Sequence, residues 1–121
     1  MIIEIHNEKK LDDYITGRKG WFLLAFHASW CRQCKAMHKT VENISEEFQN
    51  ELPFYMVDID EMEDLAKSLR LQGVPTYIVF ENGNEMGRII GYHQKDTFKK
   101  ELNDILTKQD LSLIHISEPT R

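Results

Sequence analysis

Several features are scarce in this chain of 121 residues, and each scarcity excludes a class of protein. No apolar run approaches the roughly 20 residues that a membrane-spanning helix needs. No long basic run provides the electrostatic footprint of a nucleic-acid-binding protein, and the net charge is -5. We therefore expect neither membrane insertion nor a nucleic-acid partner.

Cysteine is also scarce, since the chain contains only Cys31 and Cys34. The N-terminus lacks a basic head followed by a long apolar segment, so the sequence predicts no secretory signal. A lone cysteine pair without such a signal favours a reducing, cytoplasmic location. In that compartment the pair is more often redox-active or metal-binding than a structural staple.

The last eleven residues, LSLIHISEPTR, differ in character from the rest of the chain. They resemble the conceptual translation of a transposase-type sequencing adapter. We therefore predict one domain over residues 1–110, long enough to bury a core, and a non-native tail over residues 111–121. A natural C-terminal extension is the alternative.

Hydrophobic periodicity predicts nine elements in the order β-α-β-α-β-α-β-β-α. The predicted strands are residues 2–5, 21–27, 54–59, 75–80 and 85–91, and the predicted helices are residues 8–16, 31–48, 61–69 and 94–106. The early alternation implies parallel strands, and the turn signal at residues 81–84 implies a closing antiparallel hairpin. We predict an α/β fold with a mixed central sheet and helices on both faces.

The two cysteines lie in the segment Trp30-Cys31-Arg32-Gln33-Cys34-Lys35, where a predicted buried strand turns into a helix. The N-terminus of a helix stabilises an anion, and the thiolate is the reactive form of cysteine. Two residues between the cysteines let the sulfurs meet across one helical turn. This arrangement predicts a dithiol–disulfide couple with one nucleophile and one resolving thiol.

Further segments, together with this motif, resemble the thioredoxin family. In chain order they are Phe26-x-Ala28-x-Trp30-Cys31-x-x-Cys34-Lys35, Val57-Asp58-Ile59-Asp60, Gly73-Val74-Pro75-Thr76, Phe80-x-Asn82-Gly83 and Gly91. The resemblance covers residues 1–107 and implies the thioredoxin fold. It also implies a protein-disulfide reductase or exchange activity that needs no bound cofactor, because the two sulfurs carry the electrons.

The resemblance assigns roles to individual residues. Cys31 is expected to be the exposed attacking thiol, and Cys34 the more buried resolving thiol. Pro75 is expected to follow a cis peptide bond opposite the disulfide, which leaves the Val74 backbone free to pair with an extended substrate. The residues expected to bind substrate around the sulfurs are Trp30, Val74, Thr76, Ile90, Gly91 and Tyr92.

The resemblance also implies partners. Proteins that contain disulfides are the expected substrates of a monomeric protein. A flavoenzyme resembling thioredoxin reductase, or a low-molecular-weight thiol, is the expected electron donor.

Two positions depart from the family pattern inside the predicted sheet. Ala25 stands where the family usually has a buried Asp, and Met56 stands where it usually has the Lys partner. These changes leave Cys34 without its usual proton acceptor. His27 lies on the same side of the strand as Ala25, and we predict that His27 or a water molecule takes over the proton transfer. The alternative is that His27 only fills space.

The residues between the cysteines depart from the family pattern as well. Arg32-Gln33 replaces the Gly-Pro pair of typical reductases, so the turn lacks the rigidity of proline. Arg32 and Lys35 add positive charge near Cys31, and we expect this charge to stabilise its thiolate.

Two other interpretations of the cysteine pair remain open. Cys31, Cys34 and His38 share one helical face, and together with His27 they form a conceivable zinc site. Alternatively, the chain is a redox-inactive binding module, because one fold supports many functions.

Overall fold

The fold contains five strands and four helices within the residues that the structure describes. The structure is a computed structural model, which describes the backbone of residues 1–17 and 20–117 and the side chains of residues 1–13 and 20–107. The strands are β1 (Ile2–Glu4), β2 (Trp21–His27), β3 (Phe54–Asp58), β4 (Thr76–Glu81) and β5 (Asn84–Ile90). The helices are α1 (Glu8–Gly17), α2 (Arg32–Glu47), α3 (Glu63–Ser68) and α4 (Lys95–Ser117).

The strands form one mixed sheet in the order β1-β3-β2-β4-β5. The first three neighbours run parallel, whereas β4 is antiparallel to both β2 and β5. The predicted element order, the mixed sheet and the closing hairpin are confirmed. Strand β2 is the central strand, so the segment that follows it begins at the carboxyl end of the middle of the sheet.

Alternation along β2 explains why the sheet is covered on both faces. Leu23 and Ala25 lie in the core cluster that includes residues of α2 and α4. Phe22, Leu24 and Phe26 lie in a second cluster on the opposite face, which also includes Leu11 of α1. Side chains of a strand point alternately to the two faces, so a continuous apolar strand buries both of them.

The hairpin between β4 and β5 follows from its two-residue loop. Glu81 pairs with Asn84, and the residues between them, Asn82 and Gly83, have φ angles of 53° and 84°. An Asn-Gly pair tolerates this left-handed backbone, which matches the twist of the flanking strands. The turn signal in the sequence is therefore confirmed.

Helix α4 differs from its prediction, because it continues to Ser117 instead of ending at residue 106. The sequence contains no glycine or proline between Lys95 and Pro119, so neither residue type breaks the helix earlier. The side chains of residues 108–117 and all of residues 118–121 lie outside the described part of the chain. The non-native tail over residues 111–121 therefore stays a prediction.

Candidate redox site

The cysteine pair lies where β2 gives way to α2. Cys31 is the N-cap of α2 and has the extended backbone typical of that position (φ -86°, ψ 111°). Its sulfur accepts a hydrogen bond of 3.1 Å from the backbone N–H of Cys34. The two cysteines form a disulfide across Cα atoms 5.3 Å apart. The predicted dithiol–disulfide geometry is therefore present, with one sulfur held at a helix N-terminus.

Both cysteines are buried, which corrects one expectation. Cys31 is 5% exposed and Cys34 is 8% exposed, so the oxidised protein does not show an exposed Cys31 and a more buried Cys34. Cys31 packs with Ala28, Ile59 and Val74, which cover it from neighbouring loops. In this oxidised state, exposure does not distinguish the attacking sulfur from the resolving one.

The loop before β4 faces the disulfide. The Val74–Pro75 peptide bond is cis, as the family resemblance implies, and the Val74 carbonyl oxygen lies 3.7 Å from the Cys31 sulfur. The Pro75 carbonyl accepts a hydrogen bond of 2.9 Å from the Gly91 N–H. This contact brings the end of β5 next to the cysteine pair.

Large apolar side chains stand in solvent around the disulfide. Trp30, Ile90 and Tyr92 are 64%, 61% and 51% exposed, and the Trp30 indole N–H donates to Asp60 Oδ2 at 2.9 Å. With the half-buried Val74 and Gly91, these three define what we call the docking surface. Exposed apolar clusters of this kind often mark interaction sites.

Thr76 is not part of the docking surface, although the family resemblance implies a substrate-binding role for it. Its side chain is 2% exposed, and its hydroxyl donates to the Gly73 carbonyl at 2.8 Å. Thr76 supports the loop that carries Pro75 and offers no side-chain contact to a partner.

A cleft of about 510 Å³ opens on the other side of Cys34. Its floor is a row of paired residues across four strands: Glu4, Met56, Ala25 and Tyr77. Its wall includes Cys34, Lys35, His38 and Val41 of α2, and His27 also borders it. The small side chain of Ala25, at the centre of the row, leaves this space below α2.

The ionisable groups of the cleft differ in their ability to accept a proton from Cys34. Burial raises the pKa of Tyr77, so its phenol stays protonated and accepts none. Glu4 lies 3.3 Å from His6. His27 is half-buried and His38 is exposed, and a neutral imidazole accepts a proton readily. The structure therefore brings His27, and also His38, to the same cleft as Cys34.

Comparison with known proteins agrees with this geometry. The family model named Thioredoxin matches residues 2–104. The chain is 33% identical to a thioredoxin of Mycoplasma genitalium over 95 residues, which cover 78% of this chain and 91% of that protein. The chain belongs to the thioredoxin family. It is a thiol–disulfide oxidoreductase of that family, with Cys31 and Cys34 as its disulfide pair.

Other relatives of this thioredoxin-family chain extend the comparison. It is 31% identical to thioredoxin H2-1 of Oryza sativa subsp. japonica, covering 86% of this chain and 76% of that protein. It is 29% identical to a bifunctional thioredoxin reductase/thioredoxin of Mycobacterium leprae, of which it covers 22%. The crystal structure of thioredoxin NaTrxh from Nicotiana alata superposes with a TM-score of 0.78 at 24% identity, covering 85% of this chain and 90% of that one. This last likeness shows the shared fold.

The two other interpretations of the cysteine pair find no support. Among the described residues, no group of three or more His, Cys, Asp or Glu side chains is placed to hold a metal ion. Membership of an oxidoreductase family, together with the disulfide, disfavours the redox-inactive module.

No helix in the described part of the chain is long and apolar enough to cross a membrane.

The remaining predicted site residues flank the cysteines. Arg32, Gln33 and Lys35 occupy the first turn of α2, and all three are exposed.

Sequence reasoning missed two other residues of the site. Asp60 fixes the Trp30 ring, and its place in the segment Val57-Asp58-Ile59-Asp60 is a signal that could have revealed it. Glu4 reaches the cleft only because β1 pairs with β3, a pairing that no local pattern encodes.

Proposed function

We propose that this oxidoreductase reduces or exchanges disulfides within protein substrates. The observation that carries the proposal is the Cys31–Cys34 disulfide at the N-terminus of α2, beside an exposed apolar docking surface. Exposed Trp30, Ile90 and Tyr92 favour a macromolecular substrate, because they offer apolar area that a small disulfide cannot cover.

The reaction proceeds in two exchange steps. The Cys31 thiolate attacks one sulfur of the substrate disulfide, and the other substrate sulfur leaves as a thiolate. The Cys34 thiolate then attacks the Cys31 sulfur and releases the second substrate sulfur. Two electrons pass to the substrate, and the protein is left with the Cys31–Cys34 disulfide. The N–H of Cys34, 3.1 Å from the Cys31 sulfur, supports Cys31 as the stabilised thiolate.

Substrate recognition uses the backbone of Val74 as well as the apolar side chains of the docking surface. Val74 precedes the cis Pro75, and its carbonyl lies beside the Cys31 sulfur. An extended substrate segment that pairs with the Val74 backbone therefore places its own sulfur close to Cys31. Main-chain pairing of this kind gives affinity without strict sequence specificity.

The cycle requires an electron donor, because the disulfide must be reopened after each turnover. A flavoenzyme resembling thioredoxin reductase fits this role, and the M. leprae relative that combines both activities by name supports it. A low-molecular-weight thiol is the second candidate. We place the monomeric protein in the cytoplasm, where the surroundings can keep the pair reduced.

The proton of Cys34 leaves through the cleft that borders it. His27 and His38 line this cleft together with Cys34, in the space left by Ala25. Because a resolving thiol must lose its proton before it attacks, an imidazole reached through water supplies the acceptor.

Trapping of the mixed disulfide tests the two-step scheme. Cys34→Ser should hold substrates covalently on Cys31, because the resolving thiol is absent, and Cys31→Ser should hold none and lose activity. Non-reducing electrophoresis and mass spectrometry of each variant incubated with insulin measure the adduct. Failure of Cys34→Ser to trap insulin chains would contradict the scheme.

A further inference from the structure

We propose that protonated His93 positions the Gly91–Tyr92 part of the docking surface, so that substrate docking weakens when His93 loses its proton. The inference rests on the proposed docking of substrates at this surface. It concerns a residue outside the cysteine motif, in the segment between β5 and α4.

His93 joins three parts of the molecule. Its Nδ1 lies 3.0 Å from the carbonyl oxygen of Gly91. Its Nε2 lies 2.8 Å from Oε2 of Glu101 in α4. Its backbone N–H donates to Met37 Sδ of α2 at 3.4 Å. The side chain is only 16% exposed, so water replaces these ring contacts poorly.

Both ring contacts require a donated proton. A carbonyl oxygen and a carboxylate only accept hydrogen bonds, and a neutral imidazole has a single N–H. The observed pair of contacts is therefore satisfied by the imidazolium, which donates from both nitrogens. The charged group that faces His93 in these contacts is Glu101 of α4, whereas α2 presents the uncharged Met37 and β5 presents the Gly91 backbone.

Loss of one proton affects the two contacts unequally. A hydrogen bond to a carboxylate is stronger than one to a carbonyl, so the remaining proton stays on Nε2 and faces Glu101. The Nδ1 lone pair then faces the Gly91 oxygen, and the contact turns from attractive to repulsive. Gly91 and the neighbouring Tyr92 lose their anchor to α4.

The consequence reaches the docking surface directly. Gly91 also donates its N–H to the Pro75 carbonyl, so its carbonyl and N–H together connect α4 to the loop that faces the disulfide. Tyr92 is half exposed in this surface. When Gly91 is no longer anchored, each docking event must also order Tyr92, and this loss of entropy raises KM. The chemistry at the sulfurs is unchanged.

The test compares KM for insulin at two pH values, a lower one at which nuclear magnetic resonance shows the His93 ring as imidazolium and a higher one at which it shows the neutral ring. For each protein, KM at the higher pH is divided by KM at the lower pH. We expect this ratio to be roughly threefold or more larger in the unmodified protein than in His93→Gln, which is the effect of losing one ordinary hydrogen bond. Titration of the cysteines affects both proteins alike and cancels in this comparison. His6→Gln is the matched control and should behave as the unmodified protein.

A second variant separates positioning from simple destabilisation. Glu101→Ala removes the competitor for the last proton, so the neutral ring keeps its proton on Nδ1 and holds Gly91 at every pH. We expect this variant to keep the low KM and lose the pH dependence. A Glu101→Ala variant with the same pH dependence as the unmodified protein would overturn the proposal.

Nuclear magnetic resonance decides the case independently of turnover. The amide signals of Gly91 and Tyr92 should shift in step with protonation of the His93 ring, and the protonated ring should show two N–H groups. Amide signals that ignore this titration would overturn the positioning role. If insulin were never reduced, the proposed function would fail, while the amide signals would still report the His93 contact.

Discussion

At the scale of single residues, Ala25 determines the surroundings of the resolving cysteine. It lies between Met56 and Tyr77 in a row across the sheet, and its small side chain leaves the cleft that Cys34 borders. An apolar pair at positions 25 and 56 avoids the cost of burying charges. The same pair leaves no ionisable group in the middle of the floor, which is why we propose the histidines at its edge as proton acceptors.

Replacement of His27 tests the proton route. In His27→Ala the release of substrate from a Cys31 mixed disulfide should slow by more than about twofold at neutral pH, since a positioned acid–base group typically contributes well above that factor. Single-turnover release of a labelled peptide measures this step. Lys67→Ala, an exposed substitution on α3 outside the cleft lining, should release the peptide at the unmodified rate. Equal rates for all three proteins would leave His27 with a packing role alone.

Gly87 is required by a close approach of α4. A Cβ atom built at this position would lie 2.8 Å from Cγ1 of Ile105, which is buried. Gly87→Ala should therefore destabilise the protein by about 1–3 kcal/mol through overpacking, measured by denaturant unfolding. In an Ile105→Ala background, which lacks all three contacting side-chain atoms, Gly87→Ala should cost less, although Ile105→Ala alone costs about 2–5 kcal/mol. A fully stable Gly87→Ala would contradict the contact.

At the scale of elements, helix ends and strand ends place the functional groups. Cys31 lies at the N-cap of α2, just after the carboxyl end of the central strand β2. The end of β5 brings Gly91 beside Pro75. The register of β4 against β5 shifts between Val79 and Phe80. Val79 pairs with Gly87, where Ile105 of α4 packs closely against the strand. Each of these junctions combines a local signal with a long-range contact.

His6 connects the end of β1 to the segment after β3. Its pKa is raised by a hydrogen bond and charge attraction to Glu61, with a smaller effect of Glu4. A raised pKa in the folded state means that the stabilisation is fully present below the unfolded value of 6.5 and is lost as pH rises through the folded value. The melting temperature of His6→Gln should therefore lie below that of the unmodified protein near pH 6 and approach it at alkaline pH. A difference that grew with pH would contradict this sign.

At the scale of the whole molecule, the buried residues that the structure describes end at Ile105. Phe98, Leu102 and Ile105 supply the buried contacts of α4, and the thioredoxin match ends at residue 104. We propose that residues 1–110 form the functional unit and that residues 111–121 are a non-native tail, and the end of the family match supports this boundary.

Truncation tests this boundary. A chain of residues 1–110 should keep the melting temperature and the disulfide-exchange rate of the full chain, because it retains every buried residue that the structure describes. A chain of residues 1–100 should lose stability sharply, since it lacks Leu102 and Ile105. A large drop in melting temperature or exchange rate for the 1–110 chain would show that the tail belongs to the fold.

The sequence by itself determined the order of the elements, the Asn82-Gly83 turn and the cysteine pair at a helix N-terminus. These depend on periodicity, backbone preference and spacing within short segments, which the chain encodes locally. Tertiary structure alone decided that Glu4 and Tyr77 share the floor of one cleft, that Thr76 is buried and that His93 bridges Gly91 and Glu101. These depend on strand order, register and helix packing, which bring together residues that are far apart in the sequence.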